Sequence, residues 1–216
     1  MAIPKTIQDK LNEGRQYREL ASIATTDDQI VEGYCTTYDQ DYELYRFDTG
    51  LWTYIVNERV DSHAFDETDM SDVIMQYNHE GRVFARKSNN TLELESDEHG
   101  MKIRANLGGT EIGRQLYEEI QGGYTTKMSF GFTVSKDKTE EIEDQENHTI
   151  TVNRTILGIG KLYDVSAVSL PANNATEISA RSYCEGVIQE LEEERLKREK
   201  IERQKQKIRI MLEIGG

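Results

Sequence analysis

The sequence predicts an α+β protein, mainly β, in which a small closed β-barrel carries peripheral helices and continues into a long C-terminal helix. Three observations carry this expectation. Short runs of β-branched and aromatic residues recur between Gly, Asp and Asn turns; a single well-bounded short helix interrupts them; and the last thirty or so residues balance their charges at helical spacing. The chain is accordingly divided into an N-terminal arm (1–29), a β domain (30–182) and a charged helical tail (183–216).

Residues 4–20 place Ile7, Leu11 and Leu20 at loose helical spacing around Gly14, which predicts a short amphipathic helix in a mobile arm. Ile30–Tyr38 and Trp52–Val56 predict two strands with a long connection. Val73–His79 reads as extended, followed by Val83–Ala85, Thr91–Glu95 and Met101–Ala105, with Ser96–Gly100 as the turn between the last two. Thr110 stands where an N-cap belongs, Ile112, Leu116 and Ile120 recur every four residues, and Gly122-Gly123 follows, so a helix is expected over 110–120.

The next strand, 125–134, puts Met128, Phe130, Phe132 and Val134 on one face, so Ser129 points away from the apolar side. The acidic stretch 137–147 reads as a solvated loop, and 149–159 and 161–170 as two further strands, the second apolar enough to be buried on both faces. Pro171–Asn174 is expected to stop it. In the tail, Glu193 with Lys197, Glu194 with Arg198 and Glu199 with Arg203 are i, i+4 pairs in the favourable order. A frame through Val187, Leu191, Ile201, Ile208 and Leu212 is apolar at five of eight seam positions, which fits either a solvated helix or a broken coiled-coil seam.

Composition narrows the functional classes. With 40 acidic against 26 basic residues the net charge is -14, and the tail from Glu185 to Glu213 is neutral, so the acidity lies in the preceding part. Phosphate neutralisation needs clustered Lys and Arg, which argues against a nucleic-acid partner and against anionic membrane surfaces. No apolar run approaches membrane-spanning length and no leader-like segment opens the chain, so a cytoplasmic protein is expected. Cys35 and Cys184 sit in no paired spacing and read as small apolar fillers. His63, His79, His99 and His148 lack metal-ligand spacing, and Gly108-Gly109 and Gly122-Gly123 fit turns better than phosphate cradles, so neither a metal nor a nucleotide cofactor is expected.

Three residues on separate strands could carry chemistry. His79 ends one apolar-alternating run, and taken alone it reads as a core histidine; Ser129 lies on a polar strand face, where most serines are merely solvated. Asp164 is flanked by Leu162, Val165, Val168 and Leu170, so its carboxylate must find a donor such as a histidine or arginine. Brought together, the three would supply a nucleophile, a base and a group that orients the base.

The motifs Asn78-His79, Thr91–Leu94 with Asp97–Met101, Met128–Phe132, Arg154–Ile156 and Leu162–Asn173 resemble, in order, those of the prohead (capsid maturation) serine proteases of tailed bacteriophages, over roughly residues 30–180. The resemblance implies a herpesvirus-assemblin-like fold, a small β-barrel wrapped by helices. It also implies a serine endopeptidase that cuts scaffold and major-capsid-protein segments inside the prohead, in the cytoplasm of the bacterial host, and that cleaves itself. Carried over by position, it puts the base on His79 and the nucleophile on Ser129, and the acidic residue before Val-Ser on Asp164, where herpesvirus relatives use a second histidine. The chain departs from the family at Gly81–Arg86, where many members carry a Leu-Gly-Arg triplet. By analogy with the herpesvirus enzymes, confinement, local concentration or formation of a homodimer would control activity.

Arg154 is a side-chain candidate for the oxyanion site, or a pair for the acidic stretch. The tail is expected to dock the enzyme into the assembling shell. The competing readings are a non-catalytic capsid assembly or scaffold protein on the same fold, and an unrelated β-barrel binding module in which the histidine and serine are incidental.

Overall fold

A computed structural model of the chain describes residues 9–10, 12–26, 29–169 and 174–214. Its first sheet is organised around β10 (Thr149–Val168). One edge of β10 pairs antiparallel with β9 (Lys127–Asp144) over almost its full length. The other edge pairs in parallel with two strands in succession, β4 (Thr53–Val60) through residues 149–156 and β5 (Ile74–Tyr77) through residues 164–167. β3 (Tyr42–Asp48) extends the sheet beyond β4, and β6 (Glu80–Arg86) beyond β5.

β1 (Gln16–Thr25) joins this sheet to a second one. Residues 16–22 pair with β9, with a bulge between Glu19 and Ala21, and residues 23–25 pair with β2 (Ile30–Thr37). From β2 the second sheet continues through β8 (Gly100–Asn106) to β7 (Leu92–Ser96). The strand at 16–25 replaces the helix expected over residues 4–20 from Gln16 onward; pairing with β9 and β2 outweighs the weak helical spacing broken by Gly14. Residues 4–8 and 11 of that stretch lie outside the described residues.

The strands do not close into the expected barrel. The path runs β3-β4-β10-β9-β1-β2-β8-β7 and ends at β3 and β7, with β5-β6 as a branch, giving two linked sheets with open ends. The physical reason lies in β10: its second edge is occupied by β4 and β5, while β9 and β10 extend together as a long ribbon. The mainly β, α+β character stands.

Three local differences have simple causes. Tyr42–Asp48, expected as part of a connection, is a strand because its aromatic residues pair along β4. Much of the acidic loop is strand: β9 continues to Asp144, held by backbone pairing with β10 while its side chains stay exposed. The two runs expected at 149–159 and 161–170 are one strand, with register shifts between Ile156 and Lys161, around Gly158 and Gly160.

The core is one apolar cluster drawn from both sheets. Met128, Phe130, Phe132, Leu162 and Val165 of the first meet Val31, Cys35, Met101 and Ile103 of the second, and the Phe130 and Phe132 rings stack at 4.5 Å. Cys35 is fully buried there, and burial pushes its thiol up to about 12, so it is a filler and not a nucleophile. Leu116 and Ile120 pack onto the cluster from α1 (Glu111–Gln121), whose start is fixed by Thr110 Oγ1 accepting from the Gly113 N–H at 3.1 Å.

A buried ionic cluster lies within the first sheet. Glu58 accepts from Arg18 Nε at 2.5 Å and Nη2 at 2.9 Å, from Arg154 Nη1 at 2.8 Å and from the Tyr42 hydroxyl. Burial raises the Glu58 pKa, but the two guanidinium groups outweigh it and hold the carboxyl below its usual range.

The chain divides into a unit through Ala180 and a second from Arg181. Both contain parts of α2 (Asn174–Ile214). Within the second unit, Arg181–Glu185 at 2.7 Å and Arg198–Glu194 at 3.2 Å are i, i+4 pairs, and Leu196, Ile201, Ile208 and Ile210 are exposed among the charges. No helix of the described residues is long and apolar enough to cross a membrane. Pro171, expected as a strand stop, lies outside the described residues.

Candidate active site

A one-residue bulge decides which way Asp164 points. Along β9 and β10, Leu162 lies opposite Phe132, but Asp164 lies opposite Gly131, so Tyr163 is an extra residue between them. Without it, strand alternation would send Asp164 to the face of Leu162, into the apolar core. With it, Asp164 joins Ser166 and Ser129, which lie opposite each other, on the face away from Phe130 and Phe132. The run that reads as buried on both sides is buried by the core on one face and by this polar site on the other.

His79 reaches the same place from a turn. β5 ends at Tyr77, which pairs with Glu80 of β6, so Asn78 and His79 form a two-residue hairpin loop with φ of 52° and 62°. Both values are left-handed, as a type I′ turn requires; Asn suits the first position, whereas the second favours Gly. The loop is pinned to β10 by the Asn78 N–H donating to Ala167 O at 3.0 Å and by the Ser169 N–H donating to Asn78 Oδ1 at 3.3 Å. Lys10 Nζ donates to the His79 carbonyl at 2.8 Å. His79 is therefore a turn residue, not the last member of an apolar strand face.

The three side chains form one hydrogen-bonded series. His79 Nε2 lies 2.6 Å from Ser129 Oγ and Nδ1 lies 2.5 Å from Asp164 Oδ1. An ionised carboxylate only accepts, so Nδ1 carries the proton and Nε2 accepts from the serine hydroxyl. Burial raises the Asp164 pKa, but attraction to His79 and the hydrogen bonds from His79 and Ser166 outweigh it and hold the carboxyl below its usual range. All three residues are 1% exposed or less, so the series is closed to solvent in this state.

Several supporting residues were not singled out from the sequence. Ser166 donates to Asp164 Oδ1 at 2.9 Å, and the Asp-x-Ser spacing along one strand was the signal for it. Gly131 leaves room for the carboxylate: a Cβ there would stand within contact distance of Asp164 Oδ2 and 2.8 Å from Tyr17 Cε1. The Tyr17 ring lies 4.4 Å from that of His79, and burial together with the Asp164 charge keeps its phenol protonated. Arg15 stacks at 3.6 Å on Tyr163, the bulged residue. Tyr17 and Arg15 come from the segment expected to be an arm, which is why no chemical pattern marked them.

The other histidines lie elsewhere: His63 bonds Asp66, His99 faces Tyr34 and His148 faces Trp52. The Arg154 guanidinium is engaged by Glu58, by Gln16 at 3.0 Å and by Asp137 of the acidic stretch at 2.7 Å. Of the two roles considered for it, pairing with the acidic stretch is the one seen.

A family model described as caudovirus prohead serine protease matches residues 16–189, from the first residue of β1 into α2, and takes in His79, Ser129 and Asp164. No curated protein and no solved structure matches the chain. With four-fifths of its length matched, the chain belongs to the family of caudovirus prohead serine proteases, which act in capsid maturation.

Proposed function

We propose that the chain is a serine endopeptidase in which Ser129 is the nucleophile, His79 the general base and acid, and Asp164 the group that orients and stabilises the imidazole. The observation that carries this is the Ser129–His79–Asp164 hydrogen-bonded series on a face turned away from the core. As Ser129 Oγ attacks the scissile carbonyl, its proton passes to His79 Nε2, and the imidazolium is stabilised by Asp164 through Nδ1–H. Collapse of the tetrahedral intermediate breaks the C–N bond while Nε2–H protonates the leaving amine. Water then attacks the acyl-enzyme, giving its proton to Nε2, and the acid product leaves as Ser129 regains its hydrogen.

The family points to capsid proteins as the setting, and the finer reading is that scaffold and major-capsid segments inside the prohead, and the chain itself, are cut. α2 docks the enzyme into the assembling shell through its exposed apolar residues, and two copies associate as a homodimer. Because the series is buried, a substrate must open the site before it can react. That burial also favours a second reading, a non-catalytic assembly protein on the same fold. Reaction of the full chain with a fluorophosphonate, alone and with capsid protein present to open the site, separates them: a single adduct on Ser129 in either case, absent in His79→Ala, supports the peptidase, and a folded chain unmodified in both supports the assembly protein.

A further inference from the structure

A groove of about 360 Å³ opens beside the His79 turn. Tyr77 and Glu80, the residues that flank Asn78-His79, form its near end, so it opens next to the turn that carries His79. Its floor is β6, which contributes Glu80, Gly81, Arg82 and Phe84, and its wall is α1, which contributes Ile112, Leu116 and Glu119. A volume in this range suits a few side chains and not a large cofactor.

Two further features say what fits. Among the described residues β6 pairs with β5 alone, so its outer edge presents unpaired main-chain groups that an extended chain can complete. The groove is apolar in the middle and acidic in balance, since Glu80 and Glu119 face a single Arg82; all three are exposed, and none has an ion-pair partner among the described residues.

We infer that this groove is the subsite that reads the substrate polypeptide beside the scissile bond, as an extended strand added to β6. An apolar side chain lies against Phe84, Ile112 and Leu116, and a Lys or Arg side chain about four residues away meets Glu80 and Glu119. The spacing of about four follows because a strand paired along β6 keeps step with Phe84 and Glu80, and side chains an even number of residues apart share a face. The inference rests on the peptidase reading and names its substrate class.

The test uses the full chain with a mixture of proteome-derived peptides, the cut sites being identified by mass spectrometry. Wild type is expected to cut at a fixed distance from an apolar residue and a Lys or Arg spaced by about four. Gln115→Trp, an exposed position on the wall, fills the groove and should raise KM about tenfold or more. Glu119→Lys should lower kcat/KM at sites with Lys or Arg by about tenfold. Reaction of Ser129 with diisopropyl fluorophosphate, too small to use the groove, should proceed at the wild-type rate in both. Unchanged KM and unchanged site preference in both variants overturn the inference, as does a wild-type chain whose Ser129 reacts but which cuts no peptide, or cuts without the apolar–basic pair. A Ser129 that neither reacts nor supports cleavage overturns the peptidase reading itself, and the groove assignment with it.

Discussion

Asp164 lies opposite Gly131, and the missing side chain at Gly131 is what gives the Asp164 carboxylate its place beside His79. Adding one methyl there presses on both Asp164 and Tyr17, the two groups that hold the imidazole. Gly131→Ala is therefore expected to cost about 1–3 kcal/mol in urea unfolding. Ser129-dependent cleavage should fall much further than that modest loss of folded protein explains.

The His79 turn separates stability from activity at one position. At φ 62° a residue with a Cβ is strained by about 1 kcal/mol, and glycine is not. His79→Gly and His79→Ala both leave Asp164 with Ser166 but without the imidazole, and both are expected to abolish cleavage. His79→Gly should nevertheless be the more stable of the two by about that amount, measured by urea unfolding of the pair side by side.

How far the site was legible in the sequence follows from these two positions. Residue type and alternation pointed to Ser129, because a serine between Met128 and Phe130 on a strand must face away from the core. Asp164 stands out as a carboxylate in an apolar run, but alternation alone places it on the wrong face, since a bulge leaves no residue-type signature at Tyr163. In sequence His79 looks like the end of a strand because Asn-His continues Gln76-Tyr77 without a break; the usual hairpin signal, Asn-Gly, is missing at its second position. The helix capped by Thr110 was plain because its signals are local. Barrel closure was not, because whether β3 meets β7 depends on pairings far apart in sequence.

Acid should expose the Asp164 contribution. Its pKa in the folded chain lies below the value of about 3.9 expected when unfolded, so the ionised form stabilises the fold above that pH. This stabilisation is lost as pH falls through the folded pKa. Wild type should therefore lose more unfolding free energy than Asp164→Asn between pH 5 and acid conditions, in buffers about one pH unit apart. At neutral pH, Asp164→Asn should lower turnover by about 10⁴-fold, because the amide permits the wrong imidazole tautomer.

The tail can be tested by removing it. A chain ending at Ser182 is expected to keep its Ser129-dependent cleavage and to be missing from shells assembled with capsid protein, as read by sedimentation of the assembled particles. Co-sedimentation of the shortened chain at the wild-type level would remove the docking role from Leu196, Ile201, Ile208 and Ile210, the exposed apolar residues of α2.

The proposed chemistry stands or falls with Ser129 as the nucleophile of a protease. Intact masses of wild type and Ser129→Ala, each alone and with the capsid protein, followed over time, test it most directly. Truncated capsid protein or truncated self is expected wherever Ser129 is present, with a loss of about 10³-fold or more in rate in the alanine variant. Identical uncut masses for both chains, each shown to be folded, or equal cleavage by both, would contradict it.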